Sequence, residues 1–277
     1  VSAGLEGRVA FITGAARGQG RAHALRLARD GADIIAVDLC ADIGSVDYPL
    51  ATDDDLKETV RLVENLDRRI VARKADVRDF AGLSAAFAEG YGELGRLDII
   101  VANAGVMRLG PESGDFLADW NDVIDTNLTG VFHTIRAALP AIREGGRGGS
   151  IVITSSTAGL KGLKSLDASS LAYSASKRGV VALMQSLARA LAPEWIRVNT
   201  VHPTGVRSGL SDNEAARRLM AQAAAGENNT ISSMQNALPI ALLEADEIAS
   251  AVAFLVSDEA KFVTGVQFPV DAGFNVA

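Results

Sequence analysis

Tyr173 and Lys177 stand four residues apart in Tyr173-Ser174-Ala175-Ser176-Lys177, a spacing that puts both on one face of a helix. A phenol titrates near about 10 and serves as an acid/base at neutral pH only where positive charge stabilises the phenolate. Lys177 can supply that charge. Alone, such a pair is most often an exposed helix pair, and its weight comes from what precedes it. Ile151-Val152-Ile153-Thr154-Ser155-Ser156 is an apolar run ending in hydroxyls. If the run is a strand of a doubly wound sheet, its carboxyl end faces the ligand crevice. Ser155 or Ser156 could then hydrogen-bond a substrate oxygen while Tyr173 moves the proton, although a strand-end serine is also an ordinary turn former.

A second constellation lies near the start of the chain. Thr13-Gly14-Ala15-Ala16-Arg17-Gly18-Gln19-Gly20 follows an apolar run and opens a helical pattern. Glycines there let the backbone turn and approach a pyrophosphate, and the helix N-terminus offers free N–H groups. Asp38 closes the next apolar run 18 residues after Gly20, where a carboxylate can accept from adenosine ribose hydroxyls. It would also repel a 2′-phosphate, so NAD is expected rather than NADP. Arg17 argues the other way, because an arginine in this turn could pair with a 2′-phosphate.

These residues need a scaffold. Short β-branched runs alternate with helical periods, which predicts βαβ units and a doubly wound parallel sheet of seven strands with helices on both faces. Strands are expected at 9–13, 34–38, 70–74, 97–102, 150–154, 197–202 and 267–270. Helices are expected at 21–29, 54–66, 80–91, 117–139, 172–191 and 246–256. Residues 41–53 are long for a strand-to-helix connection and read as an insertion. Residues 205–238, with Arg217, Arg218, Leu219 and Met220 before a polar stretch, read as a helical substrate lid. The run from Arg143 to Gly149 reads as a glycine-rich turn. One domain over 1–277 is expected.

Composition narrows the function classes. With 27 basic and 34 acidic residues the net charge is −7, and no basic run argues for nucleic acid. No apolar stretch reaches the roughly 18 residues of a membrane span, and the first residues lack a signal-peptide layout, so a cytoplasmic protein is expected. Cys40 is the one cysteine and cannot form an internal disulfide. His23, His133 and His202 are scattered, without the spacing of a metal site.

Taken in order, the motifs resemble the short-chain dehydrogenase/reductase family over nearly the whole chain: Thr13 to Gly20, Asp76-Val77, Asn103-Ala104-Gly105, Asn127, Ser156, Tyr173 with Lys177, and His202-Pro203-Thr204-Gly205. The resemblance implies that Tyr173 is the general acid/base and that Ser156 orients the carbonyl or alcohol. It implies that Lys177 binds the nicotinamide ribose and lowers the tyrosine pKa, and that Asn127 holds a relay water. Gly14, Arg17, Gly18, Gln19, Gly20, Asp38 and Leu39 would bind the cofactor. So would Asp76 and Val77 at the adenine, Asn103, Ala104 and Gly105 beside it, Tyr173 together with Lys177, and Pro203, Gly205, Val206 and Ser208 near the carboxamide. Ser208 stands where the family usually has threonine, and the interval between Ser156 and Tyr173 is longer than usual.

The insertion, with Tyr48-Pro49 and Asp53-Asp54-Asp55-Leu56, is similar to that of the carveol-dehydrogenase-like enzymes associated with mycofactocin. Some of these are thought to keep their NAD and pass electrons to an external carrier. Leu210, Leu219, Met220, Ile231 and Met234 in the lid suit a hydrophobic alcohol, or simply pack on the core. A homotetramer is implied, through residues 180–191 and 263–277, either of which is equally ordinary core. An NADPH-dependent 3-oxoacyl carrier-protein reductase and an NAD-sensing binding protein are the alternatives.

Overall fold

The strands put side chains on alternate faces of a sheet, and both faces need cover. In the computed structural model, which describes residues 4–110, 112–224 and 236–277, Val9 and Phe11 of β1 (Val9–Thr13) enter one buried cluster while Ala10 and Ile12 enter the other. The other strands are β2 (Asp33–Asp38), β3 (Ile70–Lys74), β4 (Ile99–Ala102), β5 (Gly149–Thr154), β6 (Ile196–Pro203) and β7 (Gln267–Val270). All pair in parallel, in the order β3-β2-β1-β4-β5-β6-β7. The expected sheet is therefore found, each strand within two residues of its predicted limits. The order reverses between β1 and β4, where a crevice opens at the carboxyl ends.

The helices are α1 (Gly18–Arg29), α2 (Asp53–Glu64), α3 (Phe80–Leu94), α4 (Phe116–Ile124), α5 (Gly130–Glu144), the single turn α6 (Ala158–Lys161), α7 (Ala168–Leu191), α8 (Glu214–Ala224) and α9 (Ala245–Val256). Leu83 and Phe87 of α3, Ile135 of α5 and Met184 of α7 belong to the first cluster. Leu27 of α1, Val63 of α2 and Ile248 of α9 belong to the second.

Three helix expectations change. The helix predicted over 117–139 is two, α4 and α5, joined by a π-turn at Asp125–Thr129; such turns re-aim side chains and collect at functional sites. Helix α5 runs past the expected end at 139, through Pro140 to Glu144, because the turn beyond the proline buries Ile142 against the sheet and that burial offsets the lost backbone bond. Helix α7 starts at Ala168, earlier than expected, because Asp167 caps it by accepting from the Ser170 N–H at 2.8 Å. The predicted lid contributes α8, which holds Arg217, Arg218 and Leu219. Ile231, Met234 and the side chain of Met220 lie outside the described residues.

His23 lies on the inner face of α1 with no exposure. Burial pushes its imidazole down to about 4, against a smaller upward pull from the Asn103 side chain. Below 6.5 the unfolded chain binds a proton that the folded chain refuses, so stability rises with pH between about 4 and 6.5. The full span corresponds to roughly 3 kcal/mol. His23→Leu is expected to flatten this limb of a denaturant-melt series taken from pH 4 to 7. An unchanged slope would mean that His23 does not titrate as its burial requires.

Candidate active site

A cavity of about 940 Å³ runs along the carboxyl ends of the strands and draws in the glycine turn, the insertion and the root of the lid. Its floor begins with residues 14–20, between β1 and α1. A Cβ on Gly20 would collide with the Gly14 carbonyl oxygen, so this position must be glycine. The turn is held from behind, where Thr59 Oγ1 reaches the Ala15 and Ala16 carbonyls (3.1 and 2.9 Å) and Arg21 Nε donates to Ala16 O at 3.0 Å. Gln19 lines the cavity, and its Oε1 is buried without a hydrogen-bond partner. A cradle closed to any side chain, backed by fixed carbonyls and opening a helix, fits a dinucleotide pyrophosphate.

Asp38 ends β2 beside the turn, accepting from the Ala16 N–H at 2.9 Å and the Cys40 N–H at 3.1 Å. Leu39 and Val77 line the same end, together with Asp76. Burial pushes the Asp76 carboxyl up, but hydrogen bonds from Arg78 outweigh it and hold the group below the usual carboxylate range. Arg17 turns one of its donors toward the strap. Its guanidinium donates to the Pro49 carbonyl at 2.5 Å and fills the space where a Cβ of Gly209 would sit. Cys40 is half-buried, and its thiol is pushed up to about 12 by burial and by Asp38.

Opposite, β5 and α7 bring the proton-transfer candidates together. Ser155 and Ser156, open alternatives by sequence, are told apart by geometry. Ser155 is buried and donates to the Lys177 carbonyl at 2.7 Å. Ser156 lines the cavity and hydrogen-bonds the Tyr173 phenol, partly offsetting the upward push of burial on that group. Lys177 Nζ donates to the Thr154 carbonyl at 2.9 Å and lies 5.6 Å from the Tyr173 ring centroid. Burial pushes the Lys177 amine down to about 8.

Asn103 donates through Nδ2 to Thr13 O at 3.1 Å and so ties β4 to the glycine turn. Asn127 projects from the π-turn with both ends of its amide on Val106: Oδ1 accepts from the N–H and Nδ2 donates to the carbonyl, each at 2.8 Å. Its side chain therefore fixes the strand end. Ala104 and Gly105 line the cavity between these two asparagines, and Pro203, Gly205, Val206 and Ser208 line the far wall. Val206 forms a bridge with Leu243 that anchors the lid root.

The insertion is a strap across the cavity, and here the structure adds residues that sequence reasoning missed. Asp47 accepts from the N–H groups of Leu109 and Gly110 at 2.9 and 2.6 Å. Ser45 donates to Asp122 at 2.7 Å, and its carbonyl accepts from Arg108 at 3.0 Å. Arg78 joins Asp122 to Asp76. Tyr48 is buried against the Met107 backbone, and burial pushes its phenol upward. No periodicity links these positions; the length of the insertion and its Tyr48-Pro49 were the only signals.

Comparisons with known proteins agree with this geometry. A family model described as enoyl-(acyl carrier protein) reductase matches residues 14–275. The (-)-trans-carveol dehydrogenase of Rhodococcus erythropolis is 48% identical over 97% of this chain and 98% of its own. The crystal structure of carveol dehydrogenase from Mycobacterium avium in complex with NAD superposes with a TM-score of 0.90, at 48% identity, covering 99% of both chains. A short chain dehydrogenase from Mycobacterium paratuberculosis bound to NAD gives a TM-score of 0.91 at 46% identity, over 99% of this chain and 100% of that one. With its sheet order, its glycine cradle and its Ser156, Tyr173 and Lys177 in one cavity, the chain belongs to the short-chain dehydrogenase/reductase family.

Proposed function

We propose that the protein is an NAD-dependent oxidoreductase that interconverts a secondary alcohol and its ketone, with a hydrophobic or cyclic, carveol-like substrate. One observation carries this reading: the phenol of Tyr173, the hydroxyl of Ser156 and the ammonium of Lys177 converge beside a cradle that ends at Asp38. NAD, when bound, accepts the hydride from the substrate carbon. Tyr173 takes the hydroxyl proton of the alcohol in oxidation and returns one in reduction. Ser156 holds the substrate oxygen in line with the phenol. Lys177, with its Nζ 5.6 Å from the Tyr173 ring centroid, would stabilise the phenolate and hold the nicotinamide ribose of a bound dinucleotide. Asn127 and Asn103 are positioning residues that keep the end of β4 in place. Val106 uses one lone pair and one N–H of the Asn127 amide, which leaves one of each for a relay water.

Arg17 speaks weakly for the 3-oxoacyl reductase reading, but one of its donors goes to Pro49, and Asp38 speaks against a 2′-phosphate. The NAD-sensing reading has no use for an acid/base pair held in a substrate-sized cavity. Met107, Leu109, Leu163, Leu210 and Leu219 line that cavity, which supports an apolar substrate. Among the described residues no helix is long and apolar enough to cross a membrane. Phe116, Leu117, Trp120, Phe132 and Leu171 are exposed on α4, α5 and α7, which supports the homotetramer read from the family. We place the enzyme in the cytoplasm on the same resemblance.

The strap supports a second element of the reading, a cofactor that stays bound and hands its electrons to an external carrier. Asp47, Ser45 and Pro49 fasten the strap to the β4 loop, the α4 side and the glycine turn. The lid, residues 205–238 within the single domain of 1–277, meets the same turn where a Cβ on Gly18 would sit 3.2 Å from Ser208 Cβ.

Two outcomes are expected. Tyr173→Phe should lower kcat for a cyclic secondary alcohol, assayed with an artificial electron acceptor, by about a thousandfold while the protein still folds with the parental melting temperature; parental turnover would remove the proposed acid/base. Denaturing extraction of the purified protein, read by mass spectrometry, should yield close to one NAD per subunit, and Asp47→Ala should lose it on dialysis. A parent that arrives empty would show that the strap does not retain the cofactor.

A further inference from the structure

His202 ends its strand β6 with no exposed surface, and both of its ring nitrogens are used. Nδ1 lies 3.0 Å from the Ser156 carbonyl oxygen and Nε2 lies 2.8 Å from Thr200 Oγ1. A carbonyl can only accept, so Nδ1 carries the proton, and Nε2 accepts from the Thr200 hydroxyl. Burial pushes the imidazole down, and the cations Lys177 and Arg178 push the same way, outweighing Asp271 and the Ser156 carbonyl. The ring is therefore neutral near pH 7, in the one tautomer that can hold Ser156.

Ser156 needs such a grip. It lies beyond the last ladder residue of β5, where the bonds of β6 go to its neighbours: the Ser155 N–H donates to Val201 and the Thr157 N–H to Pro203. The Ser156 carbonyl accepts from His202 and from the Gly159 N–H, the latter at 2.9 Å. The Ser156 hydroxyl accepts from the Ala158 N–H at 3.1 Å and meets Tyr173. This peptide is tied to β6 at both ends, by the Thr157 N–H on Pro203 and by His202 on the Ser156 carbonyl. Loss of the His202 bond leaves the sheet holding only the Thr157 end, and the Ser156 end, with its hydroxyl, is freer to move.

We infer that His202 is a positioning residue of the reaction, holding the Ser156 carbonyl so that the Ser156 hydroxyl stays against Tyr173. The inference rests on the reading of Ser156 and Tyr173 as the reacting pair. Its chemical consequence has a definite sign. Tyr173 faces Ser156, the Lys177 ammonium and, across the cavity, the phenol of Tyr48. If Ser156 drifts, the phenolate loses a hydrogen bond while burial continues to oppose it. The acid limb of alcohol oxidation, which needs the phenolate, must then move to higher pH.

The test compares His202→Leu, which has no donor, with His202→Asn, whose amide nitrogen can take the place of Nδ1. Both are made in the full chain and assayed with a cyclic secondary alcohol, NAD and an artificial electron acceptor that reoxidises the bound NADH. The leucine variant is expected to lose about ten- to a hundredfold in kcat with KM unchanged, and its acid limb is expected to rise by up to about one pH unit. The tyrosinate absorbance of Tyr173, read against Tyr173→Phe as blank, should shift in the same direction. The asparagine variant should return to within about threefold of the parent with its limb restored. Parental kcat and limb in His202→Leu, or an asparagine variant no better than leucine, would overturn the inference. If the leucine variant does not fold, His202→Gln replaces it, because its amide reaches toward Thr200 and leaves Ser156 unheld. An active Tyr173→Phe protein would defeat the reading beneath; an inactive one beside a parental His202→Leu defeats only the inference.

Discussion

The ammonium of Lys177 is the constraint around which the rest of the site is arranged. It is 3% exposed, and no carboxylate pairs with it in any ion pair among the described residues. A buried charge without a counter-charge is costly unless fixed dipoles replace water. The Thr154 carbonyl does this at the end of β5, and Ser155 holds the Lys177 backbone from the same strand. Gly105 follows from the same demand. A Cβ there would lie 3.3 Å from Lys177 Nζ and 3.2 Å from Asn127 Oδ1, so a side chain at that position would press on both the cation and the amide that fixes Val106. The π-turn follows in its turn, because it is the element that carries Asn127 to Val106.

A second arrangement, built from acids, governs the opposite end of the cavity. Asp47, Asp76 and Asp122 are all on the strap or beside it, and each is occupied by N–H groups or by Arg78. The net charge of −7 is thus not a diffuse acidity around the cofactor site. Most of the local carboxylates are spent on joining loops that have no sheet or helix to hold them, a task for which a short acceptor facing backbone N–H groups is well suited. Surface ion pairs contribute little on their own, but here the partners are half-buried and form a chain from β3 to the strap.

Much of this was legible in the chain itself, and the reason is periodicity. Strands β1 to β7 alternate with helical stretches whose apolar spacing leaves little freedom, and Gly14, Gly20, Asp38, Tyr173 and Lys177 are tied to those elements by short, fixed offsets. Ser155 and Ser156 could not be separated, because the choice depends on which hydroxyl faces α7 and which the cavity. Nor could Pro140 or the π-turn be foreseen. Each is settled by a tertiary contact, Ile142 on the sheet and Asn127 on Val106. His202 was visible only as part of a motif, since its partner Ser156 lies 46 residues away, beyond the end of β5. The strap was visible as surplus length, but its acceptors Asp47 and Asp122 answer to N–H groups and hydroxyls that are distant in sequence.

The nucleotide preference follows from where one guanidinium can be. Arg17 lies between the Pro49 carbonyl and Gly209, at the seam of strap and lid. A 2′-phosphate would compete with the Pro49 carbonyl for the Arg17 donors, and Arg17 is the one charged side chain on that turn. Asp38 cannot withdraw, because its carboxylate is held at the end of β2 by the backbone of Ala16 and Cys40. A phosphate at that ribose would therefore face a fixed negative charge with its nearest arginine engaged elsewhere, whereas a ribose hydroxyl would find an acceptor with lone pairs to spare. The asymmetry does not depend on any contact being strong. It depends on the carboxylate being fixed and the guanidinium already being employed.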